Sequence, residues 1–337
     1  MSTSTFKAVI LAGGSGERFW PLSTPERPKQ FLRVFGGASL IRQAVSRLDG
    51  FVSPKDVFVV TAKNLVAATR KELPEVPKCN IIGEPMRRDT GAAVALGVGL
   101  AASDADPVIG FFSSDQMVAN PKAFRKVVSK AVALARRKPV IVTLGIKPTY
   151  PATCFGYISP KTRTFVEKPD AKTAKKYVKA GYLWNAGMFI ARASTFRGAF
   201  AAHAPELERL TSSTRAAGSK APSTKHLFAL YSKLPKISFD YAVMEKSKNV
   251  EVVPGDFGWD DVGSFAAFDK YFPHDSRGNV REGPCTVVEA DGNICVARSA
   301  RISLLGVKNL VVVTTPDSVL VADKAHISQM KKLFKKN

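Results

Sequence analysis

The chain has 337 residues, 45% of them hydrophobic, and a formal net charge of +22. That length supports a sizeable core and predicts a large domain plus a smaller one, while no apolar run reaches the ~18 residues of a membrane span and no charged-then-apolar leader precedes the first strand, so a cytoplasmic protein without a membrane partner is expected. The basic excess raises nucleic acid as a ligand, but it lies in short stretches such as Arg136-Arg137-Lys138, Lys172 to Lys179 and Lys331 to Lys336, without interleaved aromatics or a nucleic-acid motif, so no specific nucleic-acid partner is expected.

The first strand is the apolar run Ala8 to Leu11, and Gly13, Gly14 and Gly16 follow it at once. A helix near Ser39 to Leu48, a strand Val57 to Val60, a helix near Leu65 to Leu73 and a strand Asn80 to Ile82 continue the alternation. A helix Ala92 to Ala102, a strand Val108 to Phe112, a helix Ala123 to Arg136 and a strand Val140 to Leu144 extend it. Such alternation predicts an α/β fold, a Rossmann-like, mostly parallel sheet with helices on both faces and ligands at the carboxyl ends of its strands. From Gly156 to Ala191 the pattern changes to short strands around a lysine-rich helix, as in an insertion that closes over a substrate. Thr211 to Lys225, rich in Ser, Thr, Ala and Lys, reads as a mobile loop. A break near Pro273 to Gly278 divides residues 1–273 from a small β-rich domain of residues 274–337. The latter carries short β segments at Cys285 to Glu289, Ile294 to Val296, Leu310 to Thr314 and Val319 to Ala322, then a basic terminal helix.

Four cysteines (Cys79, Cys154, Cys285, Cys295) without paired spacing read as buried thiols in a reducing compartment, and four dispersed histidines offer no zinc site. Any metal should therefore be a hard cation held by carboxylates and phosphate oxygens. The glycine-rich loop points the same way: its glycines let backbone N–H groups approach phosphates, and Arg18 and Lys29 add charge, a design for a nucleoside triphosphate. A P-loop would need a Lys-Ser or Lys-Thr pair after the glycines. A dinucleotide fingerprint would need a third glycine and an acid after the second strand, which here ends in Thr61-Ala62-Lys63. Neither is present.

With Gly13, Gly14, Gly16, Arg18, Pro21 and Pro28-Lys29 in order, the loop resembles the signature of the sugar-1-phosphate nucleotidyltransferases. Within that superfamily the resemblance runs to the mannose-1-phosphate guanylyltransferases over nearly the whole chain, through Gly83 to Ala93 (GEPMRRDTGAA), Phe165 to Pro169 (FVEKP), Trp184 to Phe189 (WNAGMF), Ser238 to Lys246 (SFDYAVMEK) and Gly258 to Phe265 (GWDDVGSF). It implies a β-helix-like C-terminal domain, although no hexapeptide repeat is evident; the isomerase domain fused onto some relatives is not expected here, since the sequence stops after that region.

Asp115 follows a strand after Ser113-Ser114, and Asp261 lies in the turn Gly258 to Gly263. Taken singly, Asp115 reads equally well as a cap before the helix at Pro121, and Asp260-Asp261 as an exposed acidic turn. Two carboxylates without a histidine suit Mg²⁺, and the resemblance makes these two its ligands. Gln116 stands where relatives often carry histidine. Glu84 has a rationale of its own: guanine presents N1–H and N2–H₂ side by side and a carboxylate accepts both, the alternative being a surface pair with Arg87 or Arg88. The resemblance adds Leu11, Ala12, Gly13, Gly14, Gly16, Asp89 and Thr90 to the nucleotide contacts, Asp89 replacing the family's usual asparagine. On the sugar side Lys168 is a candidate phosphate clamp, Glu167 an acceptor for ring hydroxyls, and Asn185 both donor and acceptor, with Gly156 beside them. Asp240 reads either as a sugar contact or as a helix cap.

The implied reaction is Mg²⁺-dependent transfer of GMP from GTP to mannose 1-phosphate with release of pyrophosphate. The sugar phosphate is itself the nucleophile, so catalysis is positioning and charge neutralisation by Arg18, Lys29, Asp115, Lys168 and Asp261. The same chemistry on another sugar 1-phosphate, such as a manno-heptose 1-phosphate, stays open, as does a non-catalytic regulatory homologue. A homodimer is compatible with either reading.

Overall fold

In the computed structural model, which describes residues 5–14, 16–102, 106–216 and 223–334, the first strand β1 (Phe6–Ala12) is buried on both faces, with Ala8, Val9 and Ile10 fully covered. Near-continuous apolar runs of this kind belong to central parallel strands. The chain divides into two compact units, one of Met1–Gly13, Arg42–Ser114 and Val118–Trp259, the other of Gly14–Ile41, Asp115–Met117 and Asp260–Asn337.

The first unit is built on one sheet. Its strands are β1, β2 (Val57–Ala62), β3 (Ile81–Glu84), β4 (Val108–Ser113), β5 (Ile141–Ile146), β6 (Tyr157–Ile158), β7 (Phe165–Val166), β8 (Leu183–Arg192) and β9 (Val250–Gly255). The main path runs β9-β5-β8-β4-β1-β2-β3, and every pairing in it is parallel except those of β8. Adjacent residues of β4 show how both faces are covered. Phe111 packs against Phe196 at 5.2 Å between ring centres on one side, and Phe112 against Phe124 of the helix Pro121–Arg137 at 5.8 Å on the other. The helix Asp89–Ala101 lies on the Phe111 side, where Gly97 leaves no room for a methyl group against Phe111 and Val9.

Three expectations are corrected here. Of the cysteines read as buried, Cys295 is buried, Cys285 is half-buried, and Cys79 and Cys154 are exposed, because the burial of a thiol is set by the packing around it and not by its spacing in sequence. The stretch from Gly156 to Ala191 is not an insertion of short strands alone: its last part is the ten-residue β8, antiparallel between β4 and β5 in the middle of the sheet. Residues read as a mobile loop from Thr211 onwards begin inside the helix Pro205–Ala216, where Thr211 and Thr214 are buried and bond back to Leu207 and Leu210 carbonyls one turn earlier. Polar composition misled there, because hydroxyls satisfied within a helix are compatible with burial. A second helix, Thr224–Tyr231, covers the end of that stretch, and residues 217–222 lie outside the described residues.

The second unit ends in two parallel ladders. Strands β10 (Val280–Glu282), β12 (Ile294–Ala297) and β14 (Leu310–Thr315) form one, closed by the antiparallel β15 (Ser318–Asp323), and β11 (Cys285–Val288) pairs with β13 (Ile302–Leu305) in the other. The chain therefore coils between two ladders as a β-helix. Asn279 and Asn293 stand at one corner: Asn279 Oδ1 accepts from both the backbone N–H and Nδ2 of Asn293, 14 residues on, and Asn293 Oδ1 accepts from Leu310 N–H, 17 residues on. Turns of such length explain why no hexapeptide repeat is legible. The coil shares a core with the glycine-rich segment of its own unit, where Phe19, Phe35, Phe265 and Phe268 pack with Val280, Ile294 and Val311. Among the described residues no helix is long and apolar enough to cross a membrane.

Candidate active site

In the second unit the glycine-rich segment folds back on itself. Gly16 is left-handed (φ 65°), and a Cβ there would lie 2.4 Å from the backbone nitrogen of Lys29, so only glycine lets the two ends of the loop meet. Ser23 Oγ donates to the Gly16 carbonyl at 2.6 Å and closes the turn. Lys29 opens a short 3₁₀ turn (Lys29–Phe31) and is buried, 5% exposed. A buried ammonium needs partners, and Nζ donates to Asp115 Oδ2 at 3.0 Å and to the Asp261 carbonyl oxygen at 2.7 Å, with the Phe19 ring 5.9 Å away.

The acidic turn divides its labour. Asp260 is occupied structurally, accepting from Val262 N–H at 2.7 Å and from Lys270 Nζ at 2.5 Å. Asp261 instead faces the cations: burial raises its pKa, Lys29 and Arg18 pull it down, and Asp115 pushes it up again. Arg18 is exposed, and its Nη1 and Asp261 Oδ2 each lie 3.2 Å from the position a Cβ on Gly263 would take. Among the described residues no three His, Cys, Asp or Glu side chains gather into a metal site of their own. Two mutually repelling carboxylates nevertheless fit a hard divalent cation that fills its remaining positions with water and phosphate oxygens.

In the first unit β3 ends at Glu84, over a cleft of about 480 Å³ lined by Gly13, Lys63, Asn64, Glu84, Met86 and Arg87 among others. Glu84 does not make the alternative surface pair with Arg87 or Arg88. Its Oε1 accepts from the Tyr231 hydroxyl at 3.2 Å, while Arg88 donates to the carbonyls of Tyr231 at 2.9 Å and Ser232 at 3.3 Å. Burial pushes the Glu84 carboxyl up to about 7, against the pull of the Tyr231 hydrogen bond. Leu11 and Ala12 carbonyls accept from Ser114 N–H and Thr61 Oγ1, both at 3.0 Å. Asp89, left-handed at φ 65°, opens the following helix and accepts from Thr90 N–H at 2.7 Å, and Thr90 Oγ1 in turn accepts from Phe239 N–H at 2.9 Å.

Phe239 leads directly to the other cluster of this unit. Asp240, Asn185, Glu167 and Lys168, anticipated from three separate motifs, come together. Asn185 Nδ2 donates to Asp240 Oδ1 at 3.0 Å, while its Oδ1 accepts from Thr143 Oγ1 at 2.7 Å and Gly187 N–H at 3.0 Å. Three of the amide's four hydrogen-bonding sites are thereby used inside the protein, which fixes its orientation. Lys168, at a left-handed φ of 45°, pairs with Glu167 Oε1 at 2.7 Å and keeps half its side chain exposed. Backbone strain on a lysine at such a place marks a site the fold over-determines. Gly156 makes room for the carboxylate, since a Cβ would come within 2.5 Å of Glu167 Oε2. Asp240 caps no helix. Burial and the neighbouring Glu167 push its carboxyl up to about 7, opposed by Lys168 and Asn185.

Sequence reasoning missed Tyr231, Lys63, Asn64 and Thr143. Lys63 and Asn64 were legible as the residues after β2, at the end of the sheet where ligands gather; Tyr231 carries no local signal.

Known proteins resemble the chain along nearly its whole length. The nucleotidyl transferase family model matches residues 7–277, and a mannose-phosphate isomerase/GMP-like β-helix model matches residues 283–336. A mannose-1-phosphate guanylyltransferase of Escherichia coli (strain K12) is 34% identical over 356 aligned residues, covering 99% of this chain and 73% of that protein. The mannose-1-phosphate guanylyltransferase RfbM of Salmonella typhimurium is 35% identical, over 98% of this chain and 72% of that protein. A crystal structure described as a mannose-1-phosphate geranyltransferase from Thermus thermophilus superposes with a TM-score of 0.89 at 33% identity, covering 98% of each chain. By family model, by identity along nearly its whole length and by fold, the chain belongs to the nucleotidyl transferase family, among the mannose-1-phosphate guanylyltransferases.

Proposed function

We propose that this protein transfers GMP from GTP to mannose 1-phosphate, releasing pyrophosphate and forming GDP-mannose. The observation that carries the reading is the convergence of Lys29, Asp115 and Asp261 beside Arg18, an arrangement of charge suited to a triphosphate and unsuited to nucleophilic catalysis by the protein. In this reading the sugar phosphate oxygen attacks the α-phosphorus in line with the departing pyrophosphate. Lys29 holds the α-phosphate, Arg18 neutralises the pyrophosphate, and Glu84 accepts both donors of the guanine edge. Glu167, Asn185 and Asp240 take the sugar hydroxyls, Lys168 the sugar phosphate, and Gly13, Gly14 and Gly16 let phosphates approach the backbone.

Asp115 and Asp261 would hold the divalent cation this family uses, which we assign as Mg²⁺; when bound it neutralises phosphate charge and orients the phosphates. Residues 1–273 form the catalytic domain in this reading and residues 274–337 the accessory one, acting in the cytoplasm. Pyrophosphate release, assayed across four nucleoside triphosphates and a panel of sugar 1-phosphates including mannose, glucose and a manno-heptose, tests the assignment. Preference for GTP with mannose 1-phosphate is expected. Better use of the heptose or of another nucleotide would replace the substrate assignment, and no turnover with any pair would favour a regulatory homologue.

A further inference from the structure

We infer that Tyr231 is a positioning residue for guanine, its hydroxyl donating to Oε1 of Glu84 so that the charged carboxylate is favoured and turned towards the cleft. This rests on the base-reading role proposed for Glu84. The Tyr231 ring is fully buried, and a buried phenol requires a polar partner; Glu84 Oε1 supplies it at 3.2 Å. The other oxygen, Oε2, lies 3.3 Å from the position a Cβ on Gly13 would take, and Gly13 and Glu84 line the same cleft. One hydrogen bond leaves Oε1 a further lone pair, so the carboxylate can keep Tyr231 and still accept two donors.

The phenol is itself held from behind. Tyr231 is the last residue of the helix Thr224–Tyr231, whose final carbonyls need donors, and the Arg88 guanidinium provides them to Tyr231 and Ser232. Arg88 stands four residues after Glu84, so the two ends of one short motif grip the same tyrosine from its backbone and from its hydroxyl.

Burial and the nearby Asp89 push Glu84 towards protonation, and the Tyr231 hydroxyl opposes them by donating to the charged form. Tyr231 cannot exchange roles, because burial and Glu84 hold its own pKa well above the ordinary phenol value. Lys63 and Arg87 line the cleft as further charged groups, while Arg88 is engaged with the helix end. A protonated Glu84 would set an O–H donor against the guanine N1–H and N2–H₂ donors, so loss of the phenol hydroxyl should cost guanine recognition at neutral pH.

Tyr231→Phe removes the hydroxyl and keeps the ring. Wild type and variant labelled with ¹³C-glutamate are titrated by NMR without nucleotide, Glu84→Gln identifying the resonance, and thermal melts check that both variants fold. Glu84 is expected to titrate at least about one pH unit higher in the variant. The kcat/KM for GTP should fall about five- to fifteenfold at pH 7 and return to within about twofold of wild type at pH 8.5, where both carboxyls are largely ionised. An unchanged titration of Glu84 overturns the inference. A shifted titration with GTP use unchanged at pH 7 overturns it differently: the tyrosine then sets the carboxyl's ionisation, and Glu84 does not read the base.

Discussion

Substituting alanine at Gly16 should disable the enzyme out of proportion to its effect on stability. An L-residue in the left-handed region costs about 1–2 kcal/mol. The new Cβ would lie 2.4 Å from Lys29 N and 2.6 Å from Lys29 Cβ, whereas ordinary contact begins at 3.4 Å, and neither obstacle is a flexible side-chain tip. Lys29 must therefore retreat by about 1 Å, carrying its Nζ away from Asp115 and the Asp261 carbonyl; a misplacement of that size at a reacting centre costs on the order of a hundredfold. The stability penalty should appear as a Tm lowered by about 1–3 °C, since an unfolding entropy of about 2.1 cal/mol/K per residue gives about 1.4 °C per kcal/mol for a chain of this length. Gly14→Ala is the matched control: no atom lies within 4 Å of its would-be Cβ, so Tm should hold within about 1 °C while the methyl obstructs phosphate approach and raises the KM for GTP. The assay is pyrophosphate release with GTP varied, run beside thermal melts of both variants. If Gly16→Ala kept wild-type kcat/KM, neither the tight loop nor the placement of Lys29 would matter to the reaction.

Asp115→Asn and Asp261→Asn should each reduce kcat by at least about a hundredfold at saturating Mg²⁺ with circular dichroism unchanged, and near-normal turnover in either would remove that residue from the metal site. Lys168→Ala should chiefly raise the KM for sugar phosphate by about tenfold or more, and Arg18→Ala the KM for GTP; equal damage to both substrates in both variants would contradict their separate roles. Asp240 gives a stability test whose sign is fixed. Its folded pKa is raised to about 7, so the folded state binds the proton more tightly than the unfolded chain and stability falls as pH rises through that window. Asp240→Asn should accordingly raise Tm at pH 8, with the gain shrinking towards pH 4, and a gain that does not vary with pH would mean that the buried charge is not its source.

Much of the site was legible because its residues sit in short segments whose own chemistry constrains them. Gly16, Arg18 and Lys29 are demanded by one loop, while Glu167-Lys168 just after one strand and Trp184-Asn185 within another each mark a place where a polar group is out of keeping with the apolar run around it. Strand and helix alternation was likewise a matter of local periodicity, and the parallel sheet follows from it. Where local chemistry was ambiguous the reading failed: hydroxyl-rich residues from Thr211 onwards resembled a loop until their bonds to carbonyls one turn earlier placed them in a helix.

What the sequence by itself determined, then, was the family of chemistry and the residues able to perform it; what tertiary structure alone decided was which of them face one another. Asp260 and Asp261 are indistinguishable as neighbours in a turn, and only Lys270 and Lys29 assign one to structure and the other to the cation cluster. Lys29 meets the Asp261 carbonyl across 232 residues and Tyr231 meets Glu84 across 147, separations at which no periodicity or motif survives. The aromatic residues of the glycine-rich segment share their core with the β-helix for the same reason. Burial is non-directional and indifferent to chain distance, so the partners of a buried side chain are set by packing of the whole unit rather than by its neighbours in sequence.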